Sequence, residues 1–548
     1  MLDSEIADLK RGSLRLQSMP LPQRRKLLDK CVDEVLRQAD AWVAAACQAK
    51  GIPVDRPLAA EECLGGPAST MRYLQLVAKT LLDVEHFGQP QLPGPVVRNS
   101  LGRLAVPVMP VARLYDALLF RGIQASVWLL PEADNDDLFT RFWETVDPAN
   151  PKIAGVLGAG NVSSIPVTDA LHQICFQNAS VLLKLNPVNA YLEPTFQKAF
   201  RPLIESDLLR IVCGGSDVGA AMVHHPDVSA VHLTGSHHTH DAIIWGADHA
   251  ERDQRMQADL PLLNKKVTSE LGNVTPWIVV PGSYTKRQLR SQAEHVVASI
   301  VNNASFNCIA TKVIVTCEDW PQREIFLSLV ESMLQRLPAR QAYYPGAVDR
   351  YERAVGKAIS SDDGTLPWTL IRNASPEHAP ELFKEESFVC VCAETAVKAA
   401  SAEAFLEKAV DFVNHQLFGT LSMTLTIPEA WHKANRELVE LAVSRLKYGS
   451  VCINHWAGIV YGMMSPPWGG HHGSTLRKPE SGLGFVHNTF SLKNVDKTVL
   501  VGPLVSYPKP VWFPTHRSSH RAAKQLAKFY QNCSPLRLPS VFWHAMRS

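Results

Sequence analysis

One cysteine, Cys308, stands where its side chain could do chemistry. A helical periodicity runs from Arg287 to Val301, and a β-branched run from Lys312 to Thr316 predicts a strand. The cysteine therefore falls at a junction between two elements, where a side chain can face a cleft. As a thiolate it could attack a carbonyl carbon. The alternative is a small buried hydrophobic residue, which is the commoner state of a free cysteine.

A lone carboxylate, Glu270, interrupts an apolar, β-prone run over residues 265–280. In a partly dry cleft such a carboxyl has a raised pKa and could act as a general base. The alternative is an acid that faces solvent on an edge strand. Upstream, the turn Thr234-Gly235-Ser236 follows a predicted strand and opens a predicted helix. This geometry suits a phosphate, although ordinary strand–helix connections use the same residues.

These residues belong to an alternation of short strands and helices that begins at Lys152. The predicted strands are 153–157, 181–185, 209–213 and 230–233. The alternation predicts an α/β fold with a parallel, doubly wound sheet, which binds ligands at the carboxyl ends of its strands. Residues 20–85 carry helical periodicity, and the proline-rich segment 88–130 predicts a strand pair outside the main sheet.

The length of 548 residues and the ordinary composition predict a folded protein of about two to four domains. A net charge of +2 gives no strong field for nucleic acid or an anionic membrane. The charged N-terminus lacks an apolar signal core, and no apolar run approaches the ~20 residues of a membrane span. The 11 cysteines form no CxxC, which suits a reducing compartment. We therefore expect a cytoplasmic protein without a membrane span and without bound nucleic acid.

An ordered set of motifs resembles the aldehyde dehydrogenase superfamily. The set comprises GAGN (158–161), VLLKLNP (181–187), HPDVSAVHLTGS (225–236), SELGN (269–273), the segment from Asn303 to Cys308, EESF (385–388), VNHQLFGTLS (413–422), GSVCIN (449–454), PPWGG (466–470) and SGLG (481–484). The motifs stand in family order over roughly residues 20–500, and on this ground the chain is identified as a member.

The resemblance implies a Rossmann-type cofactor domain, an α/β catalytic domain and an oligomerisation β-arm. It divides the chain into a dinucleotide-binding part (1–269, with an extended β segment around 100–130), a catalytic part with the nucleophile (270–465), and a last part (466–548). The last part returns to the cofactor domain and adds an inserted loop and a C-terminal tail. The resemblance also implies a homodimer or homotetramer.

The same resemblance implies roles for individual residues. Cys308 would attack an aldehyde carbon, Asn161 would donate its amide to the oxyanion, and Glu270 would activate the water that hydrolyses the thioester. NAD or NADP would take the hydride. The residues expected to hold this cofactor are Lys184 at the adenosine ribose, Gly235 and Ser236 at the pyrophosphate, and Gly272, Glu386 and Phe388 towards the nicotinamide. The expected reaction turns an aldehyde of medium or long chain into a carboxylic acid.

Some positions depart from the family pattern. Gly160 replaces an aromatic residue, and Leu185-Asn186-Pro187 lacks the glutamate that clamps the ribose hydroxyls, which opens the site to NADP. His240 replaces a glycine after the Gly-Ser turn, and Ser305-Phe306 replaces Gly-Gln. Two alternatives therefore stay open. One is a catalytically silent family member that acts as a structural or interaction subunit. The other is an acyl-CoA reductase, because the long-chain acyl-CoA reductases share a similar Gly-Asn-Val turn.

Histidines at 237, 238, 240, 471 and 472 show no spacing typical of a structural zinc site, so we expect no metal. Residues 471–480 form an insertion relative to the family pattern, predicted to be a solvated loop near the substrate mouth. The chain beyond Val501 is basic and proline-punctuated, with interleaved aromatic residues. It predicts an oligomer-facing or surface-wrapping tail, with nucleic-acid contact as the alternative.

Overall fold

The computed structural model describes residues 2–112, 114–144, 150–359 and 364–548. The elements of the first half are α1 (Asp3–Ser18), α2 (Leu21–Ala49), α3 (Ala60–Cys63), α4 (Ser69–Phe87), β1 (Val97–Arg98), β2 (Leu104–Met109), α5 (Tyr115–Leu119), β3 (Gln124–Leu129), β4 (Ile153–Leu157), α6 (Ile165–Phe176), β5 (Ser180–Lys184), α7 (Glu193–Ala199), α8 (Arg201–Glu205), β6 (Leu209–Val212), α9 (Ser216–His224), β7 (Ala230–Thr234), α10 (His237–Ile244), α11 (His249–Ala258), β8 (Lys266–Glu270) and β9 (Thr275–Val279).

The elements of the second half are α12 (Lys286–Val301), β10 (Thr311–Cys317), α13 (Arg323–Gln335), β11 (Arg340–Gln341), α14 (Ala347–Val355), β12 (Thr365–Leu366), β13 (Thr369–Ile371), α15 (Glu381–Lys384), β14 (Val391–Val397), α16 (Ala402–Gln416), β15 (Ser422–Thr426), α17 (Glu429–Ala434), α18 (Arg436–Arg445), β16 (Ser450–Ile453), α19 (Gly458–Met463), β17 (Pro467–Trp468), β18 (Gly482–Leu483), β19 (Val486–His487), β20 (Val495–Val501), α20 (Ser519–Tyr530) and α21 (Leu538–Ala545). Among these described helices, none is long and apolar enough to cross a membrane.

A six-stranded sheet has the order β18-β8-β7-β4-β5-β6. Its five strands from β8 to β6 are parallel, and β18 pairs with β8 in the antiparallel sense. The chain runs outward from β4 through β5 to β6 and then returns to the other side of β4 at β7. Such a reversal opens a crevice beyond the carboxyl ends of β4 and β7, where doubly wound sheets bind ligands. The predicted α/β fold is confirmed.

A ten-stranded sheet has the order β1-β2-β3-β20-β16-β15-β9-β10-β14-β13. The strands from β20 to β13 are parallel, and their inner members β9, β10, β15 and β16 are buried throughout, as expected for a sheet covered on both faces. Strands β2 and β3 continue this sheet, because β3 pairs with β20 in the antiparallel sense. The predicted strand pair therefore does lie outside the doubly wound sheet, and it extends the second, ten-stranded sheet.

The C-terminal helix α20 packs against the N-terminal helices α3 and α4 of the same chain. Its small residues Ala522, Ala523 and Ala527 are buried, which lets the helix approach its neighbours closely. The buried ring of Phe529 packs edge-on against Tyr115 at 5.2 Å between centroids. This segment is basic in sequence, yet it forms a helix that packs against the N-terminal helices of its own chain.

Candidate active site

The loop that carries Cys308 follows directly on α12. Asn303, Ala304 and Ser305 adopt left-handed backbone conformations, with φ of 52°, 54° and 68°. Residues other than glycine rarely adopt this region, and each such residue costs free energy unless its surroundings hold it there. The side chain of Cys308 lies half-buried between this strained loop and the start of β10.

The ammonium of Lys312, on β10, holds one side of this loop. It donates to the hydroxyl of Ser305 at 2.9 Å and to the carbonyl of Val389 at 2.6 Å, and Lys312 is only 3% exposed. Burial lowers the pKa of Lys312 to about 8. The serine that replaces a family glycine thus supplies a hydroxyl partner for a buried lysine.

A second buried lysine, Lys50, holds the other side. Its ammonium donates to Asn303 Oδ1 at 2.9 Å, to the carbonyl of Asn161 at 3.0 Å and to Glu62 at 2.9 Å. The side-chain amide of Asn303 donates to the same Asn161 carbonyl at 3.1 Å. Nothing in the sequence around Lys50 indicated this role, because Asn161 and Asn303 lie far away along the chain.

Cys308 and Glu270 are brought together. The thiol donates to Glu270 Oε1 at 3.4 Å, while Glu270 Oε2 is buried without a hydrogen-bond partner. Burial, reinforced by the charge of Asp169, raises the pKa of Glu270 to about 8. Burial and the two carboxylates of Glu270 and Glu386 raise the pKa of the Cys308 thiol well above its ordinary value. The thiol is therefore protonated at rest and has a base in contact.

Asn161 lies against the same loop. It is 6% exposed, and its side-chain amide donates to the carbonyl of Phe306 at 3.2 Å. An amide has a second N–H, which remains for another acceptor. The preceding Gly160 is required by space, because a Cβ there would lie 2.8 Å from the Asn186 side chain and 2.9 Å from the Tyr344 hydroxyl. These neighbours occupy the room that a larger residue before Asn161 would need.

A cavity of about 290 Å³ extends from Cys308 and Glu270 into the protein. Its lining is mostly apolar and combines residues of α19, the segment 506–514 and the C-terminal helices α20 and α21. The thiol and the carboxylate form its polar end. No residue of the 471–480 loop lines it.

The residues predicted to hold the adenosine side of a dinucleotide lie at the switch crevice. Gly235 and Ser236 are exposed at the start of α10, and the Gly235 N–H donates to the carbonyl of Glu270 at 3.0 Å. Lys184 ends β5, where its buried ammonium contacts the carbonyl of Leu185 at 3.5 Å, and burial lowers its pKa. The bond from Gly235 to the Glu270 backbone therefore joins the crevice to the strand end that carries Glu270.

Glu386, Gly272 and Phe388 also cluster. A Cβ on Gly272 would collide with the Glu386 carboxylate, so the glycine is what lets this side chain approach. Burial raises the pKa of Glu386 to about 7, and its Oε1 is buried without a hydrogen-bond partner. An orphaned acceptor of this kind fits a sugar hydroxyl. The ring centroids of Phe388 and Phe306 lie 6.0 Å apart. Phe306, which departs from the family pattern, therefore packs beside Phe388.

The histidines near 471 bind a carboxylate. His471 and His472 place Nε2 at 3.4 and 3.5 Å from Asp496 Oδ1, and these are the residues among the described chain that could group around a metal ion. Arg103 and Lys497 already balance the charge of Asp496, at 2.6 and 3.8 Å. An ion-pair network accounts for the group, and the absence of a metal stays a prediction.

The 471–480 loop lies away from its predicted place. The indole N–H of Trp245 donates to the carbonyl of Leu476 at 3.3 Å, and Leu476 packs on the small core around Trp245. Arg477 pairs with Asp259, beyond the end of α11, at 3.1 Å. The prediction of a loop at the substrate mouth is therefore wrong. An apolar residue in its middle anchors it to the core of the six-stranded sheet.

Part of the chain is similar in sequence to known aldehyde dehydrogenases. The sequence model of the aldehyde dehydrogenase family matches residues 163–348. The hydroxyisobutyraldehyde dehydrogenase of Mycolicibacterium austroafricanum is 26% identical over 310 residues, which cover 53% of this chain and 55% of that protein. The chain thus spans about half the length of this curated relative.

The fold is similar to that of solved structures over most of their length. The glyceraldehyde-3-phosphate dehydrogenase of Methanocaldococcus jannaschii has a TM-score of 0.58 at 15% identity, covering 91% of this chain and 94% of that one. The NAD-dependent aldehyde dehydrogenase of Sinorhizobium meliloti has a TM-score of 0.59 at 15% identity, covering 93% and 88%. At such identity these likenesses establish the fold. Residues 163–348 thus match the aldehyde dehydrogenase family, and the fold is similar to that of the solved aldehyde dehydrogenase structure.

Proposed function

We propose that this protein oxidises an aldehyde to a carboxylic acid, with Cys308 as nucleophile and NAD or NADP as hydride acceptor. The observation that carries the proposal is the 3.4 Å contact between Cys308 Sγ and Glu270 Oε1 at the polar end of a cavity. A nucleophile with a base in hydrogen-bond reach can lose its proton as it attacks a carbonyl.

In the first step the Cys308 sulfur bonds to the aldehyde carbon while its proton moves to Glu270. The carbonyl oxygen becomes an oxyanion, which the free side-chain N–H of Asn161 and the backbone N–H of Cys308 would stabilise. One such donor is worth roughly 10²–10³ in rate. Bound NAD or NADP supplies the acceptor for the hydride from the same carbon. Transfer of this hydride to the bound dinucleotide would leave a thioester on Cys308.

In the second step Glu270, once it has released the thiol proton, accepts a proton from a water molecule that attacks the thioester carbon. The C–S bond breaks, the carboxylic acid leaves and the thiol is restored. The contact of Glu270 with the sulfur supports water as the acyl acceptor rather than coenzyme A, because a base placed there serves hydrolysis directly.

The cofactor would lie across the switch crevice. Lys184 would bind the adenosine ribose, Gly235 and Ser236 the pyrophosphate, and Glu386 with its orphaned Oε1 a ribose hydroxyl at the nicotinamide end. The M. jannaschii structure holds NADP, and a putative methylmalonate-semialdehyde dehydrogenase of S. meliloti was solved with NAD. Asn186 stands near the place of the missing ribose clamp and adds no carboxylate, which supports use of either dinucleotide.

Two thiols of similar exposure allow a matched test of the nucleophile. Cys308 and Cys533 are both half-buried, and Cys533 lies outside the cavity lining. Cys308→Ala should abolish reduction of NAD and NADP by decanal, while Cys533→Ser should keep the wild-type rate. Activity that survives in Cys308→Ala would sink the assignment.

Pre-steady-state kinetics separate the acyl acceptors. Because Glu270 serves both steps, Glu270→Gln should slow the first release of reduced cofactor and should turn over about 10²–10⁴-fold more slowly than the wild type. Mass spectrometry should find the acyl group on Cys308. Wild-type turnover in this variant, or turnover that requires coenzyme A, would favour the acyl-CoA reductase. If calorimetry detects binding of neither NAD nor NADP, the catalytically silent subunit is favoured.

The oligomeric state and the compartment are part of this proposal. A homodimer or homotetramer in the cytoplasm is what the family resemblance and the cysteine usage lead us to expect. Light scattering on the purified protein, at concentrations spanning the cellular range, measures the first. Fractionation of the cells that make the protein measures the second.

A further inference from the structure

We infer that the C-terminal segment, residues 506–545, forms the far wall of the substrate chamber and selects aldehydes with an extended apolar body over short ones. The inference rests on the proposed function, because it names the substrate class of the same site. The segment lies outside the stretch that the family model matches, residues 163–348, so the selectivity is a property of this chain rather than of the matched core.

The wall is mostly apolar. The cavity-lining residues that the C-terminal segment contributes include Trp512, Phe513, Leu526, Tyr530, Val541 and Phe542. The lining also includes Ile123, which precedes β3, and Trp456, Ile459 and Tyr461 in and before α19. A chamber closed by such residues gains free energy by burying apolar ligand surface, about 25 cal/mol for each Å². Short aldehydes leave most of it unfilled.

Arg72 and Lys509, two charged residues of the lining, have partners of their own. Arg72 pairs with Asp116 at 2.9 Å, and both side chains are buried. Lys509 pairs with Glu294 at 3.3 Å. Arg121 is exposed to solvent. The lining also carries buried polar atoms without a hydrogen-bond partner, on His455, Ser506 and Trp512, but most of it is apolar, so it favours a ligand with an apolar body.

The wall is held in place before any ligand arrives. The hydroxyl of Ser519, at the start of α20, donates to the carbonyl of Pro57 at 2.8 Å. The amide of Gln75 donates to the carbonyl of Gln531 at 2.7 Å, and His516 Nε2 bonds to the carbonyl of Ala545 at 3.1 Å. These bonds join the segment to the N-terminal helices and to itself. A preformed wall can discriminate between ligands because it does not reshape for each one.

Two adjacent residues at the end of α21, Ala545 and Met546, provide a matched test. Ala545 lines the chamber, whereas Met546 is 55% exposed and does not. In the wild type, kcat/KM should be at least tenfold higher for decanal than for propanal. Ala545→Trp should lower kcat/KM for decanal at least tenfold and leave propanal within twofold. Met546→Trp should leave both unchanged.

A second variant does not depend on how α21 tolerates a large residue. A Cβ at Gly462, which lines the chamber on α19, would meet no atom within 4 Å. Gly462→Leu should therefore fill open space without a clash, and a leucine favours the helix over a glycine. It should also lower kcat/KM for decanal at least tenfold and spare propanal.

Binding without turnover separates failure of this inference from failure of the proposed function. Calorimetry with decan-1-ol should give a Kd at least tenfold weaker for Ala545→Trp than for the wild type or Met546→Trp. If the wild type oxidises no aldehyde yet binds decan-1-ol in this pattern, the inference about the chamber is supported and the proposed enzymatic activity is contradicted. A wild type that prefers propanal, or folded Ala545→Trp and Gly462→Leu variants that treat both chain lengths as the wild type does, would overturn the inference.

Discussion

Lys50 and Asn303 are joined by a hydrogen bond of 2.9 Å from the buried ammonium to the side-chain carbonyl. Because Lys50 follows α2 and Asn303 opens the Cys308 loop, this bond couples the N-terminal helices to the predicted nucleophile. The same ammonium binds the carbonyl of Asn161 and the carboxylate of Glu62. One cation thus contacts both the loop that carries Cys308 and the turn that carries Asn161, the proposed oxyanion donor.

Replacement of this lysine should damage both stability and activity. Lys50→Met leaves the carboxylate of Glu62 buried without its ion partner, which costs about 3–5 kcal/mol of unfolding free energy. It also frees Asn303 and Asn161, so kcat/KM should fall at least tenfold. Urea denaturation and steady-state kinetics measure the two effects. Lys10→Met, which breaks an exposed pair with Asp227, should change stability by less than about 1 kcal/mol. Equal behaviour of the two variants would contradict the role of Lys50.

The parallel strands are the part of the fold that the sequence predicts well. β4, β5 and β7 are short, apolar runs between turn residues, and their burial leaves the pattern that periodicity detects. The pairing of Cys308 with Glu270 is different. Each residue alone has an ordinary structural explanation, and only the resemblance to a family joins them across the chain.

The remaining features have no local signature. Strands β2 and β3 join the large sheet through β20, which lies more than 350 residues later, so nothing near them indicates their partner. The C-terminal helix α20 is rich in lysine, arginine and alanine, and its packing on α3 and α4 depends on the small residues of one face. Lys50 looks like any lysine at a helix end. Contacts between distant segments decide all three.

The pH dependence of turnover should report Glu270. As a base the carboxyl must be ionised, and its pKa is raised to about 8, so kcat should rise with pH through about 8. Asp169, Glu386 and the Cys308 thiol face the same carboxyl, so the pH profile belongs to the group. In the wild type, the steady-state rate should rise with pH through about 8, and in Glu270→Gln this rise should be absent. If the rate of the variant still rises with pH in this range, a group other than Glu270 causes the rise.

The same raised pKa predicts how stability changes with pH. The unfolded chain releases the Glu270 proton near pH 4.5, whereas the folded protein holds it until about pH 8. Between these values the unfolded state binds fewer protons, so the unfolding free energy falls as pH rises. Wild type should therefore lose, relative to Glu270→Gln, on the order of a few kcal/mol between pH 5 and pH 9. If the unfolding free energies of the two proteins change in parallel over this pH range, the pKa of Glu270 is not raised in the folded protein.

Gly160 departs from the family pattern next to Asn161, the proposed oxyanion donor, and it offers a test of how tightly that side chain is held. A Cβ at Gly160 forces the side chain of Asn186 or the ring of Tyr344 to move, and the adjacent Asn161 shifts with its backbone. A displacement near 1 Å at a catalytic group costs about 10²-fold. Gly160→Ala should therefore lower kcat/KM about 10–100-fold.

Gly473→Ala is the matched control for this change, because a Cβ there makes only an ordinary contact of 3.6 Å with His471 on the surface loop. It should keep the wild-type kcat/KM. Thermal unfolding of both variants separates misplacement of Asn161 from loss of the fold. If Gly160→Ala folds and turns over as the wild type does, the amide of Asn161 either tolerates the shift or takes no part in holding the oxyanion.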